Sequence, residues 1–235
     1  MLYCDKCALE KKIMTNERTI KVTGKGNLKV RPDMTRITMT LEGQAKECDK
    51  ILELSSKETG MLKDLLEKQG FDKSDVKTLN YKVDTKYESY KTATGNWKER
   101  FIGYTYKHVV KVEFDSDNAR LGKILYALAN AKDIHPEFRI SYTVKDKEAS
   151  KNLLLGKAIE DAKSKATILT SAVGITLKDI KTIDYSWGEI AFESSPMRGA
   201  MLCESMRKVG DSLDMDIEPD DIEVSDTVTV VWEIA

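Results

Sequence analysis

Cys4 and Cys7 form a C-x-x-C pair, the spacing of half a structural zinc site or of a redox dithiol. A structural zinc needs four ligands, and no second pair is present. Cys48 and Cys203 stand alone, and the only histidines are His108 and His135. A redox dithiol sits between a strand and a helix, whereas this pair lies in a polar stretch. Cys4 and Cys7 therefore remain candidate metal ligands only through one pair donated by each of two chains; the plainer reading makes them part of a tail. No cofactor follows from the sequence.

His108 is the obvious titrating side chain. It alternates with Tyr104, Tyr106 and Val110 on one face of a long strand, which favours a satisfied, half-buried core histidine over a catalytic base. Tyr104, Tyr106 and His108 are the candidate binding residues should a pocket open on that strand. His135 precedes Pro136 in a connection. Neither a G-x-S-x-G elbow nor an H-E-x-x-H motif occurs, so no catalytic residue is assigned. Gly24-Lys25-Gly26 lies between strand segments, and Lys29 occupies the third glycine position of a dinucleotide loop, so a β-bulge is expected there. Asp33, after Pro32, is expected to close a turn on its own backbone.

The elements that position these residues follow from periodicity. Residues 1–17 lack a period and are expected to be a tail. Strand patterns run over Thr19–Val30, broken at the glycines, and over Thr35–Gly43. Lys46–Gln69 has helical spacing and stops at Gly70. Val76–Tyr90 and Phe101–Phe114 form a hairpin around Gly95-Asn96. Asp117 caps a helix running to Ala131, and Ile134–Lys145 is a strand. Lys147–Val173 is a long helix with an inward stripe of Leu155, Ala158, Ile159, Ala162, Ala166, Leu169 and Val173. Strands at Leu177–Trp187 and Asp226–Ile234 complete the chain. The order βαββαβ followed by αββ predicts an α+β fold, with mixed or antiparallel sheets and helices packed on one side.

With 235 residues the chain hides roughly 72% of its surface on folding, enough for a core without staples. Its composition, 41% hydrophobic and 33% charged, excludes a disordered class. The net charge of −1 gives no field to hold nucleic acid. Tyr81, Tyr87, Tyr90, Trp97, Phe101, Tyr104 and Tyr106 crowd the hairpin among lysines, which fits sheet packing or a subunit contact better than base stacking. No apolar run reaches membrane-spanning length, and charges break any leader-like stretch at the start, so a cytoplasmic location is expected. Between Glu189 and Ile222 three basic residues meet nine acidic ones, with Met197, Met201, Met206 and Met215 among them. That long acidic, Met-rich loop is either a linker or a partner-binding segment.

Five stretches resemble, in order, one known family. Thr19–Gly26 with Val30-Arg31-Pro32-Asp33 is similar to the opening of the SIMPL-domain proteins. Lys77-Thr78 with Tyr87, Ile102-Gly103-Tyr104, the helix Ala158–Ala166, and Ile217-Glu218-Pro219 with Ile222–Ser225 follow suit. The resemblance covers 18–235, which is therefore expected to be one SIMPL-like domain. The chain departs from the family in its cysteine-bearing start, where many relatives carry an export signal, and in Pro219-Asp220, where proline-glycine is usual. The resemblance implies an α+β fold, ring-like homo-oligomers in some relatives and a loose link to stress response, with no established catalytic residues. The expected function is a non-enzymatic homo-oligomeric assembly or interaction protein, with a possible protein partner taken through 189–222. The alternative is a small-molecule-binding protein or enzyme with a pocket near Tyr104, Tyr106 and His108.

Overall fold

The computed structural model describes residues 18–185, 188–194 and 218–235. Cys4, Cys7, Cys203 and most of the 189–222 segment lie outside the described residues. The elements are β1 (Thr19–Val30), β2 (Met34–Ala45), α1 (Cys48–Glu67), β3 (Lys77–Lys91), β4 (Trp97–Asp115), α2 (Asn118–Ala129), β5 (Glu137–Thr143), α3 (Lys147–Ala172), β6 (Leu177–Asp184), β7 (Glu193–Ser194) and β8 (Ile222–Ile234). The fold is α+β, with two antiparallel sheets. The chain divides into two compact units, one of residues 29–147 and 191–223, the other of the remainder.

In the first unit the sheet order is β3-β4-β2-β5-β7. β2-α1-β3-β4-α2-β5 is a split βαβ arrangement in which β4 enters between β2 and β3. Alternation on β2 and β4 aims Ile37, Met39, Leu41, Val110, Val112 and Phe114 at Ile51, Leu62 and Leu66 of α1 and Leu121, Ile124 and Leu125 of α2. Asp117 caps α2 by accepting the backbone N–H groups of Ala119 and Arg120. Gly70, at φ +82°, turns the chain out of α1.

In the second unit β8 lies between β1 and β6. Ala158, Ala162 and Ala166 of α3 are buried against Val22, Val228, Val230 and Trp232.

Four expectations need correction. β1 is continuous through Gly24 and Gly26. The glycines make no bulge; a Cβ at either would overlap carbonyl oxygens of α3, those of Ala158 and Leu154. They let strand and helix touch. Second, α3 buries Leu154, Ala158, Ala162, Ala166 and Thr170, while Leu169 and Val173 are exposed, because the helix axis follows the small residues. Third, Asp33 does not bond its own turn. Its carboxylate accepts the backbone N–H of Lys145 at 2.8 Å. Fourth, the segment from Glu189 is not all loop. Phe192 is buried, its carbonyl accepts the Thr143 hydroxyl at 2.6 Å, and Glu193-Ser194 pair with β5.

Candidate functional site

Two neighbouring regions of β3 and β4 gather the candidate residues. One is a polar layer beneath α1. His108 is buried and pairs across the strands with Tyr81, whose ring meets it edge-on at 5.1 Å. Its Nδ1 lies 2.9 Å from the Thr59 hydroxyl and its Nε2 3.0 Å from the Thr78 hydroxyl. A neutral ring satisfies both, donating to one hydroxyl and accepting from the other. Burial, and then the nearby Lys63 charge, hold His108 below the usual histidine range. Tyr106, two residues along the same face, donates its hydroxyl to Glu58. Burial and then the Glu58 carboxylate push that phenol well above its ordinary value. The three candidate binding residues thus share one face, as alternation predicts. His108 and Tyr106 are each tied to α1, and Tyr104 packs at the edge of the core. Thr59, Thr78 and Glu58 complete the layer. The sequence gives little sign of them, since Glu58 and Thr59 look like the solvent face of α1 and Thr78 like one more polar residue of β3. A groove lies elsewhere, at the C-terminal ends of α1 and α2. It encloses about 430 Å³ between Met61, Leu65, Lys68, Ala131 and Ile134.

The second region is an arm. β4 pairs with β2 only from Tyr104 to Asp115, but with β3 it continues to Trp97, opposite Lys91. Beyond Tyr104 the sheet is two strands wide. Here Ile102 is an extra residue on β4, so Lys86 faces Gly103 and Tyr87 faces Phe101. The insertion puts Phe101 in phase with Tyr104, although they are three positions apart. Their rings meet edge-on at 5.3 Å, and Tyr87 meets Phe101 at 5.7 Å. Gly103, at φ +138°, makes the kink possible, because a Cβ there would overlap the Ala45 carbonyl oxygen. The arm's aromatic side chains are uncovered: Trp97 is 70% exposed, Tyr87 55% and Phe101 45%.

Behind the sheet, on the side away from α1, Arg36 of β2 holds Glu113 of β4 at 2.6 Å and Glu193 of β7 at 3.2 Å, with Lys111 on Glu113 at 2.8 Å. Burial raises the Glu113 carboxyl, but the bonds from Lys111 and Arg36 outweigh it and leave the group below its ordinary value. This network pins the start of the acidic segment to the sheet.

Among the described residues no group of three or more His, Cys, Asp or Glu is placed to hold a metal ion, and no helix is long and apolar enough to cross a membrane. Cys48 is a free, exposed thiol. No curated protein matches the chain. The profile of one family, described as SIMPL, protein of unknown function (DUF541), matches residues 20–232. That match covers nearly the whole length, and the chain belongs to the SIMPL family.

Proposed function

We propose that the protein is a non-enzymatic assembly protein whose copies associate through the β3–β4 arm. The observation that carries this reading is the row Tyr87, Phe101 and Trp97 on a ribbon only two strands wide. An isolated two-stranded hairpin is marginal in water, and single-sided aromatic rows are stabilised by being covered. The arm is also built with care, through an inserted residue and a glycine that align its rings, which suits a surface made to be met. His108, the one buried histidine, spends both nitrogens on threonine hydroxyls, which suits a structural role. The experiment is the solution mass of the full chain at micromolar concentration, beside a variant carrying Tyr87→Ser, Trp97→Ser and Phe101→Ser. The wild type is expected as an oligomer and the variant as a monomer with an unchanged circular dichroism spectrum. A monomeric wild type, or a variant of unchanged mass, overturns the reading.

A ligand-binding reading centres on Tyr104, Tyr106 and His108, and is favoured by the polar layer gathered there. It predicts a metabolite that raises the melting temperature of the wild type and not of His108→Phe; a library without such a compound removes it.

A further inference from the structure

β3 is an edge strand, and its outer edge has no partner strand among the described residues. From Asn80 to Lys91 its own backbone carries no inserted residue and no proline, so a continuous row of N–H and C=O groups is offered. Its two faces differ. The odd positions 81, 83, 85 and 87 are Tyr, Val, Thr and Tyr, next to Tyr104 and Phe101 across the ladder. The other face carries Tyr90 and five cations, of which Lys82 is held by Asp84, Arg100 by Glu88 and Lys107 by Glu42, while Lys86 and Lys98 have no carboxylate partner among the described residues, so cations outnumber acids there by two. Lysines on an exposed edge repel a second copy of the same edge. They favour a strand of opposite charge.

The chain contains one stretch of that complementary kind. Leu213-Asp214-Met215-Asp216-Ile217-Glu218 alternates apolar and acidic residues at the period of a strand, in a run from Asp211 to Glu223 that has seven acids and no basic residue. We propose that the arm of one copy receives this stretch from a second copy as an added strand on the free edge of β3. Leu213, Met215 and Ile217 then lie along the aromatic face, and Asp214, Asp216 and Glu218 along the lysine face. This rests on the assembly reading above and names the partner segment for it.

Reach favours two copies over one. Lys29 holds Asp221 at 3.7 Å and Glu223 at 3.4 Å, five residues before β2 begins at Met34. β2 itself is about 37 Å long, and Phe101 lies about 10 Å past its far end. Met215 is at most about 21 Å of chain from Asp221, and Lys29 at most about 18 Å from Met34. Even with both connections drawn taut, about 39 Å in all, Met215 of the same copy falls short of Phe101, about 47 Å from Met34; a second copy carries no such limit.

The test is sedimentation velocity on three full-length chains. They are the wild type, an arm-reversed variant (Lys82→Glu, Lys86→Glu, Lys98→Glu) and a stretch-reversed variant (Asp214→Lys, Asp216→Lys, Glu218→Lys). All substituted positions bear charged side chains, and circular dichroism checks that each variant folds. Each variant alone is expected to associate at least tenfold more weakly than the wild type. An equimolar mixture of the two is expected to associate again, because the reversed arm of one now suits the reversed stretch of the other. Association of the wild type is expected to weaken between 0.15 M and 1 M salt. If the stretch-reversed chain associates like the wild type, or the mixture stays apart, the inference fails while the assembly reading stands. A wild type that is monomeric defeats both.

Discussion

β4 is one strand with two fates. From Tyr106 to Phe114 its alternate residues are buried under α1 and α2, and Val112 is wholly enclosed. From Trp97 to Phe101 the same strand carries two large aromatics, Trp97 and Phe101, on either side of Glu99, and nothing described in the unit covers them. Both halves place large apolar side chains on one face, interrupted on the arm by Glu99; what differs most is the second layer. Burial of apolar area stabilises the body from within, at roughly 25 cal/mol per Å². On the arm the same term is available only on association. Function is therefore sought where a folding pattern is left unfinished.

The contrast is easy to break. Ile124→Ala empties a fully buried site beneath β4 and is expected to cost about 3 kcal/mol in urea unfolding, whereas Trp97→Ser should cost the folded monomer less than about 0.5 kcal/mol. Equal costs would mean that the arm is part of the core. Gly103→Ala, at the junction, forces a Cβ toward the Ala45 carbonyl at a φ that side chains avoid, and should lose about 2 kcal/mol together with the near-UV signal of the aligned rings. A smaller effect of opposite sign is expected at Tyr142. Its buried hydroxyl has no hydrogen-bond partner among the described residues, so Tyr142→Phe should gain about 1 kcal/mol in thermal unfolding, and a loss of stability would reveal a hidden partner.

The polar layer gives the finest test. His108 titrates below its unfolded value of about 6.5, so the folded state binds fewer protons than the unfolded one. Its contribution is complete above that value and is lost as the pH falls through the folded pKa. The melting temperature should drop over that acid range in the wild type, and drop less in His108→Gln. Parallel curves would show that the ring is not held neutral by its surroundings.

Much of this was legible in the residues. The alternation of β4, with Tyr106, His108, Val110, Val112 and Phe114 on one face, is a local property, and so is the Asp117 cap. The motifs around Gly24, Gly103 and the alanine helix pointed to the family. Less legible was why the glycines are there. Gly24 and Gly26 look like a bulge until α3, more than 120 residues away, is seen against them. The inward stripe of α3 misled for a related reason. Its larger side chains, Leu169 and Val173, suggest a buried face, but close approach to a strand selects the alanines instead. Thr59 and Thr78 could not be paired with His108 from sequence, because each lies on a different element and neither breaks a polar pattern. The short β7 was hidden inside an acidic run, since Glu193 reads as one more solvated charge rather than as a partner of Arg36.

Hydrogen exchange of the backbone amides of Asn80–Tyr90 asks most directly whether the unfinished edge is completed by another molecule. With the full chain held at low nanomolar and at high micromolar concentration, the amides on the free side of β3 are predicted to exchange freely when dilute and to gain protection when concentrated, while those of β2 stay constant. Exchange along β3 that is the same at both concentrations would contradict the proposal that this arm exists to be joined.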